Sequence, residues 1–128
     1  MTEVDLRVPG DAAAAATARR SLAVLAEKVS REVYEDVRLL VTELITNSVR
    51  HAGLNGNASI HLRVSAEDDL VRVEVEDAGT GFEPRDRNAP LTEASGWGLY
   101  LVDKLTDRWG VKSSGGTCVW FEINTTTS

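Results

Sequence analysis

Apolar residues along this chain change their period several times, and each change marks an element. In "EVDLRVPGD", Val4, Leu6 and Val8 alternate with polar residues and stop at Pro9 and Gly10, which predicts an edge strand followed by a turn. Asp11 then caps a helix over residues 12 to about 29, where Ala15, Ala18, Leu22, Leu25 and Val29 recur at three- and four-residue steps. A second helix, from about 33 to 52, buries Val37, Leu40, Val41, Leu44, Ile45 and Ser48 and stops at Gly53. Next, Ile60, Leu62 and Val64 alternate with Ser59, His61 and Arg63, and Val71, Val73 and Val75 alternate with Arg72, Glu74 and Glu76. These are two half-buried strands of a hairpin joined by "SAEDD". Residues 78 to 96 have no period and carry Gly79, Gly81, Pro84 and Pro90, the composition of a long functional loop. A third helix starts at Trp97 or Gly98 and runs to about Arg108, with Leu99, Val102, Leu105 and Trp109 on one face. The strands "WGVKS" and "TCVWFEI", paired through a turn at Ser114, Gly115 and Gly116, close the chain.

Strands and helices that do not strictly alternate imply an α+β two-layer sandwich, a mixed, mostly antiparallel sheet with three helices on one face. One domain over residues 1–124 with a frayed tail at 125–128 is expected, since a chain of 128 residues buries roughly two-thirds of its unfolded surface without disulfides or structural metal. The other face of the sheet, with His61, Arg63, Arg72, Glu74 and Trp120, is left without a helix. Trp120 is there a candidate contact for a second copy or another protein.

Composition narrows the function classes. A formal charge of −6 with pI about 4.9, and no basic stripe, argues against a nucleic-acid partner. The lone Cys118 excludes an intramolecular disulfide, and two histidines are too few for a zinc site, so a reducing cytoplasm is expected. "DAAAAATARRSLAVLAE" lacks the basic start and leucine-rich core of a leader, and no apolar run is long enough to span a membrane.

Three features invite chemistry. In "TELITNSVRHA", Glu43, Asn47 and His51 form a row along the margin of the second helix's buried arc, the address of a cleft edge. The strand period puts Asp77 on the covered face just where its strand ends, and a carboxylate there needs a partner. "DAGTGF" offers that acceptor with two glycines that let backbone come close to a flat ligand, and an adenine amino group suits Asp77. "SGWGLYLV" opens a helix after glycines, leaving amide N–H groups free for phosphate oxygens. Each has an ordinary alternative: a polar helix margin, an Asx turn at a hairpin exit, simple loop geometry before a helix. Arg50, His51 and Gly53 also make an ordinary positively charged helix end, so His51 reads as structural.

Taken in order, the acidic-polar helix, the strand ending in Asp-x-Gly-x-Gly, the long loop and the Gly-x-Gly helix resemble the ATP-binding (Bergerat) fold. That fold is shared by gyrase, the heat-shock chaperone of the ninety-kilodalton class, histidine kinases and mismatch-repair MutL. Small size, "ELITNSVRHA" and "GWGLYLVDKLTDRWG" are most similar to the stand-alone bacterial anti-sigma-factor serine/threonine kinases. The resemblance implies that Asn47 is a magnesium ligand, Glu43 the catalytic base, Asp77 the adenine-recognising acid, and Gly79 and Gly81 the turn beneath the base. It implies that Gly96, Gly98 and Leu99 lie on the phosphate side and that Thr117 joins Asp77 around a water at the adenine. Thr117 also shares strand parity with Val119, Phe121 and Ile123, which puts it on the inner face. Sensor histidine kinases carry asparagine where Glu43 stands and add a helical phosphoacceptor region, so Glu43 favours transfer to a hydroxyl or water.

The resemblance therefore implies a cytoplasmic, homodimeric kinase using ATP and Mg2+, which binds a sigma factor and phosphorylates a small anti-sigma antagonist. It departs from the family pattern at Trp97, which sits between the phosphate-side glycines, and in the short loop 82–95. A nucleotide-binding partner-switching adaptor with weak phosphoryl transfer would use the same residues, and both readings stay open at this stage.

Overall fold

The computed structural model of the protein describes residues 2–52, 59–67, 69–77, 96–113 and 117–125, and for residues 50–52, 96–99 and 113 the backbone alone. Within them the elements run β1 (Thr2–Pro9), α1 (Ala14–Ser21), α2 (Arg31–Ala52), β2 (Ser59–Glu67), β3 (Leu70–Asp77), α3 (Gly96–Leu105), β4 (Arg108–Ser113) and β5 (Thr117–Asn124). The strands form one sheet in the order β1-β2-β3-β5-β4. Every pairing among the described residues is antiparallel, in line with the mostly antiparallel sheet expected, and no parallel pair occurs among them. The helices supply the second layer over one face, as the unequal faces of the strands require.

Strand alternation sorts the side chains as the sequence predicts. Ile60, Leu62, Val64, Val71, Val73, Val75, Phe121 and Ile123 are buried under the helices. Pairing of β2 with β3 continues to Glu67 opposite Leu70, so Ser65, Ala66 and Glu67 belong to the ladder rather than to the connection. Beyond β5, the Thr125 N–H still donates to the Asp69 carbonyl at 2.8 Å.

The first helix departs from its expected form. Asp11 does not cap it; its carboxylate accepts the Ala13 N–H at 2.9 Å in an Asx turn, and the helix begins at Ala14. After Ser21 the chain tightens into a 3₁₀ segment, Leu22–Glu27, in place of continuing to residue 29. Buried Ala14, Ala18, Leu22 and Leu25 step by four, four and three, and the final step of three aligns side chains in a 3₁₀ helix.

Beyond the helices' reach, the outer face of the sheet carries a chain of ion pairs. Arg63 binds Glu74, Arg72 binds Glu74 and Glu122, and Arg108 binds Glu122. Trp120 is part of this array rather than a free aromatic, with the Arg72 guanidinium 4.5 Å from its ring centroid. On β4, Gly110 lies opposite Trp120, and a Cβ there would meet the indole at 2.8 Å. Glycine is thus required by the indole that lies over it, and Gly110→Ala is expected to lower stability by about 1–3 kcal/mol through overpacking. A denaturant titration followed by circular dichroism measures this.

Hydrogen bonds from Arg108 first and Arg72 second hold the Glu122 carboxyl below its ordinary value of 4.5. A depressed folded-state value stabilises the fold above the unfolded value and loses that contribution as pH falls through the folded one. Glu122→Gln is therefore expected to melt lower than the parent at neutral pH, with the gap closing below about pH 4.5. Thermal melts of both proteins between pH 7 and 3 check the sign.

Candidate functional site

Helix α2 starts at a cap that its apolar period does not announce, the Ser30 hydroxyl accepting the Val33 N–H at 3.2 Å. From there Val37, Leu40, Val41, Leu44 and Ile45 form a buried stripe against the sheet. Glu43 and Asn47 flank that stripe and are half-buried, the marginal position expected of them. His51 lies in the last turn of the helix.

The helix can be placed along the sheet from its two ends. Just before its start, Lys28 and Val29 line a shallow groove with Glu67, Leu70 and Thr125, and Lys28 pairs with Glu3 at 3.7 Å. The helix therefore begins over the end of the sheet where β2 turns into β3. It packs against both β3 and α3. From Arg31 to Asn47 it advances about 24 Å, and from Leu70 to Asp77 β3 covers about 24 Å. Asn47 lies about as far along α2 as Asp77 lies along β3, with Glu43 one turn before it.

Asp77 is the last residue of β3 and only 7% exposed. Its cross-strand neighbours are fully buried Ile60 on β2 and Thr117 on β5. Thr117, half-buried, in turn faces Ser113 of β4. A carboxylate and a hydroxyl are therefore side by side on the helix-covered face, at the last residue of β3 and the first of β5. Strand parity foretold that both face inward. That they are direct partners depends on β5 entering the sheet between β3 and β4, which no local pattern reveals.

Helix α3 begins at Gly96, before the expected Trp97 or Gly98, so the backbones of Gly96, Gly98 and Leu99 form its first turn. It ends at Leu105, and Arg108 and Trp109 belong to β4. Gly79, Gly81 and the loop 82–95 lie outside the described residues. Asp77 and Thr117 are thus neighbours at one end of the sheet, Glu43 and Asn47 stand one turn apart on the half-buried margin of α2, and the first turn of α3 belongs to a helix that packs against α2.

A model of the histidine kinase-like ATPase domain matches residues 8–123. The chain belongs to that family. Membership in this ATPase-domain family implies ATP binding. The domain is 29% identical over 119 residues to serine-protein kinase RsbW of Listeria monocytogenes serotype 4a, covering 82% of this chain and 76% of that protein. It is 24% identical over 131 residues to serine-protein kinase RsbW of Staphylococcus aureus strain JH9, covering 91% and 82%. Among solved structures, it superposes on the histidine kinase domain of the Erythrobacter litoralis EL346 blue-light-activated histidine kinase with a TM-score of 0.62 at 24% identity. That match covers 92% of this chain, which spans 62% of the solved domain. The catalytic domain of histidine kinase ThkA superposes with a TM-score of 0.58 at 15% identity over 95% of this chain and 96% of that one. Likeness at these identities concerns the fold, an antiparallel sheet under helices.

Among the described residues of this ATPase domain, no three histidine, cysteine or acidic side chains converge as a metal cage. Asn47 contributes a single neutral oxygen at a half-buried margin, which fits a magnesium ion that takes its other ligands from phosphates and water. No described helix is long and apolar enough to cross a membrane.

Proposed function

We propose that this ATPase domain is a cytoplasmic regulatory serine/threonine protein kinase of the anti-sigma-factor type, which binds ATP with Mg2+, sequesters a sigma factor and phosphorylates a small antagonist protein. The observation that carries the reading is the pairing of buried Asp77 with Thr117 at the end of β3, with Glu43 and Asn47 half-buried on the helix that packs against that strand. Similarity to two serine-protein kinases over most of the chain supports it.

In this mechanism the Asp77 carboxylate accepts the adenine amino group, and Thr117 helps hold a water at the base. The first amides of α3, at Gly96, Gly98 and Leu99, receive phosphate oxygens. Magnesium, held by Asn47, would supply charge neutralisation on the β and γ phosphates. Glu43, half-buried at the margin, takes the proton from the acceptor hydroxyl as that oxygen attacks the γ-phosphorus, and the bond from the γ-phosphorus to the β–γ bridging oxygen breaks to release ADP. The kinase would act as a homodimer through the sheet and β1.

Calorimetric titration with ATP, with and without magnesium, tests the nucleotide half of the proposal. Micromolar-range binding strengthened by magnesium is expected, and no heat at millimolar ATP overturns it. Transfer of label from γ-labelled ATP to a serine or threonine of a purified antagonist tests the other half. Tight ATP binding and sigma-factor capture without any transfer would identify the adaptor instead of the kinase.

A further inference from the structure

Helix α3 is clamped to the sheet at its C-terminal end. Thr106 donates both its N–H, at 3.1 Å, and its hydroxyl, at 2.6 Å, to the Val102 carbonyl. Asp107 is fastened to β5 twice: its N–H donates to the Glu122 carbonyl at 2.9 Å, and its carboxylate accepts the Asn124 N–H at 2.7 Å. Trp109, opposite Phe121 on the inner face of β4 and packed against the core, reaches back to the helix. Its indole Nε1–H donates to the Asp103 carboxylate at 3.0 Å.

Asp103 breaks a local rule. It sits in the last turn of α3, where the helix dipole disfavours a negative charge and favours a cation such as the neighbouring Lys104, the residue before the last. The indole hydrogen bond offsets that unfavourable placement. The bond ties the flank of α3 to the sheet beside the backbone clamp at residues 106–107. Those backbone bonds fix where the helix ends, and a tie from its side resists tilting.

Tilt matters because α3 is a lever. Its ten residues extend about 15 Å, so a rotation of about 4° at the clamped end moves the first turn by about 1 Å. We propose that Asp103 and Trp109 are positioning residues that set the tilt of α3 and thereby the placement of its first-turn amides on the nucleotide phosphates. This inference rests on the proposed nucleotide reading, since it concerns the phosphate side of that same site. The base side, built by Asp77 and Thr117 on β3 and β5, does not depend on the tilt.

The test compares a ligand that uses both sides with one that uses only the base side. ATP affinity is measured by calorimetry and adenosine affinity by ligand-observed NMR for the parent and for Asp103→Ala, Asp103→Asn and Trp109→Phe. Asp103→Ala and Trp109→Phe are each expected to weaken ATP binding about tenfold while leaving adenosine within twofold. Asp103→Asn, whose amide oxygen still accepts the indole N–H, is expected to restore most of the ATP affinity. Their double variant should lose no more than either single one, because both remove the same bond. ATP affinity unchanged in both Asp103→Ala and Trp109→Phe overturns the inference, as does a parallel loss of ATP and adenosine, which marks a purely structural tie. A parent that binds no ATP overturns the proposed function itself, a result distinguishable from a parent that binds ATP and variants that bind it equally well.

Discussion

Glu43→Ala is expected to slow phosphoryl transfer by roughly 10²–10⁴-fold while ATP affinity stays within a few-fold. The asymmetry follows from where Glu43 stands. It is half-buried on the margin of α2, one turn before Asn47 and beside buried Leu44 and Ile45, so its carboxylate stays partly accessible while the core beside it is filled by apolar neighbours. A general base acts on the proton of the attacking hydroxyl and on nothing in the bound nucleotide, so its loss belongs in the rate. Single-turnover transfer measured beside calorimetric ATP titration separates the two quantities. An equal fall in rate and affinity would move Glu43 from the chemistry to the binding of the nucleotide. Glu43→Gln is the companion variant: it keeps the shape and most hydrogen bonds but cannot take a proton, and it should be as slow as alanine.

Asp77→Asn is expected to weaken ATP binding by about 10- to 150-fold, the effect of roughly 1.5–3 kcal/mol for a lost hydrogen bond to a charged group. The amide has the same outline as the carboxylate, but it can present a donor where the adenine amino group also presents donors. Since Asp77 is 7% exposed, water cannot easily replace the lost acceptor. Its position on β3 makes the variant interpretable, because Ile60 and Thr117 keep their backbone pairing with residue 77 whatever the side chain. A thermal melt within a few degrees of the parent, together with the affinity loss, assigns the carboxylate to the base. Undiminished ATP affinity would remove Asp77 from the site.

The two faces of the sheet show how differently local and distant information acted in this chain. On the inner face, the alternation of Val71, Val73 and Val75 carried forward to Asp77, and that of Phe121 and Ile123 carried back to Thr117. Both side chains are covered as that parity required. On the outer face, Trp120 reads as an available aromatic, yet it lies between Arg72 and Gly110. No window of sequence around Trp120 contains both partners. Trp109 shows the same limit: its spacing from Val102 and Leu105 fits a helical face and it also opens the strand "WGVKS", and of the two it is the strand that holds, with Trp109 facing Phe121 across the β4–β5 ladder. A helical period and a strand are hard to distinguish over so few residues, and pairing with β5 settled the matter.

The sequence by itself determined which side chains enter the core, where α2 and the strands run, and which polar residues stand at the margins of the buried stripes. Those properties follow from the fixed repeat of a helix or strand, which is set by covalent geometry within a few residues. Tertiary structure alone decided that Asp77 has Thr117 as its neighbour, that Trp120 lies between Arg72 and Gly110, and that Asp103 answers an indole six residues away. Each of these is a relation between elements. It depends on strand order and helix placement, which only the packing of the whole core selects.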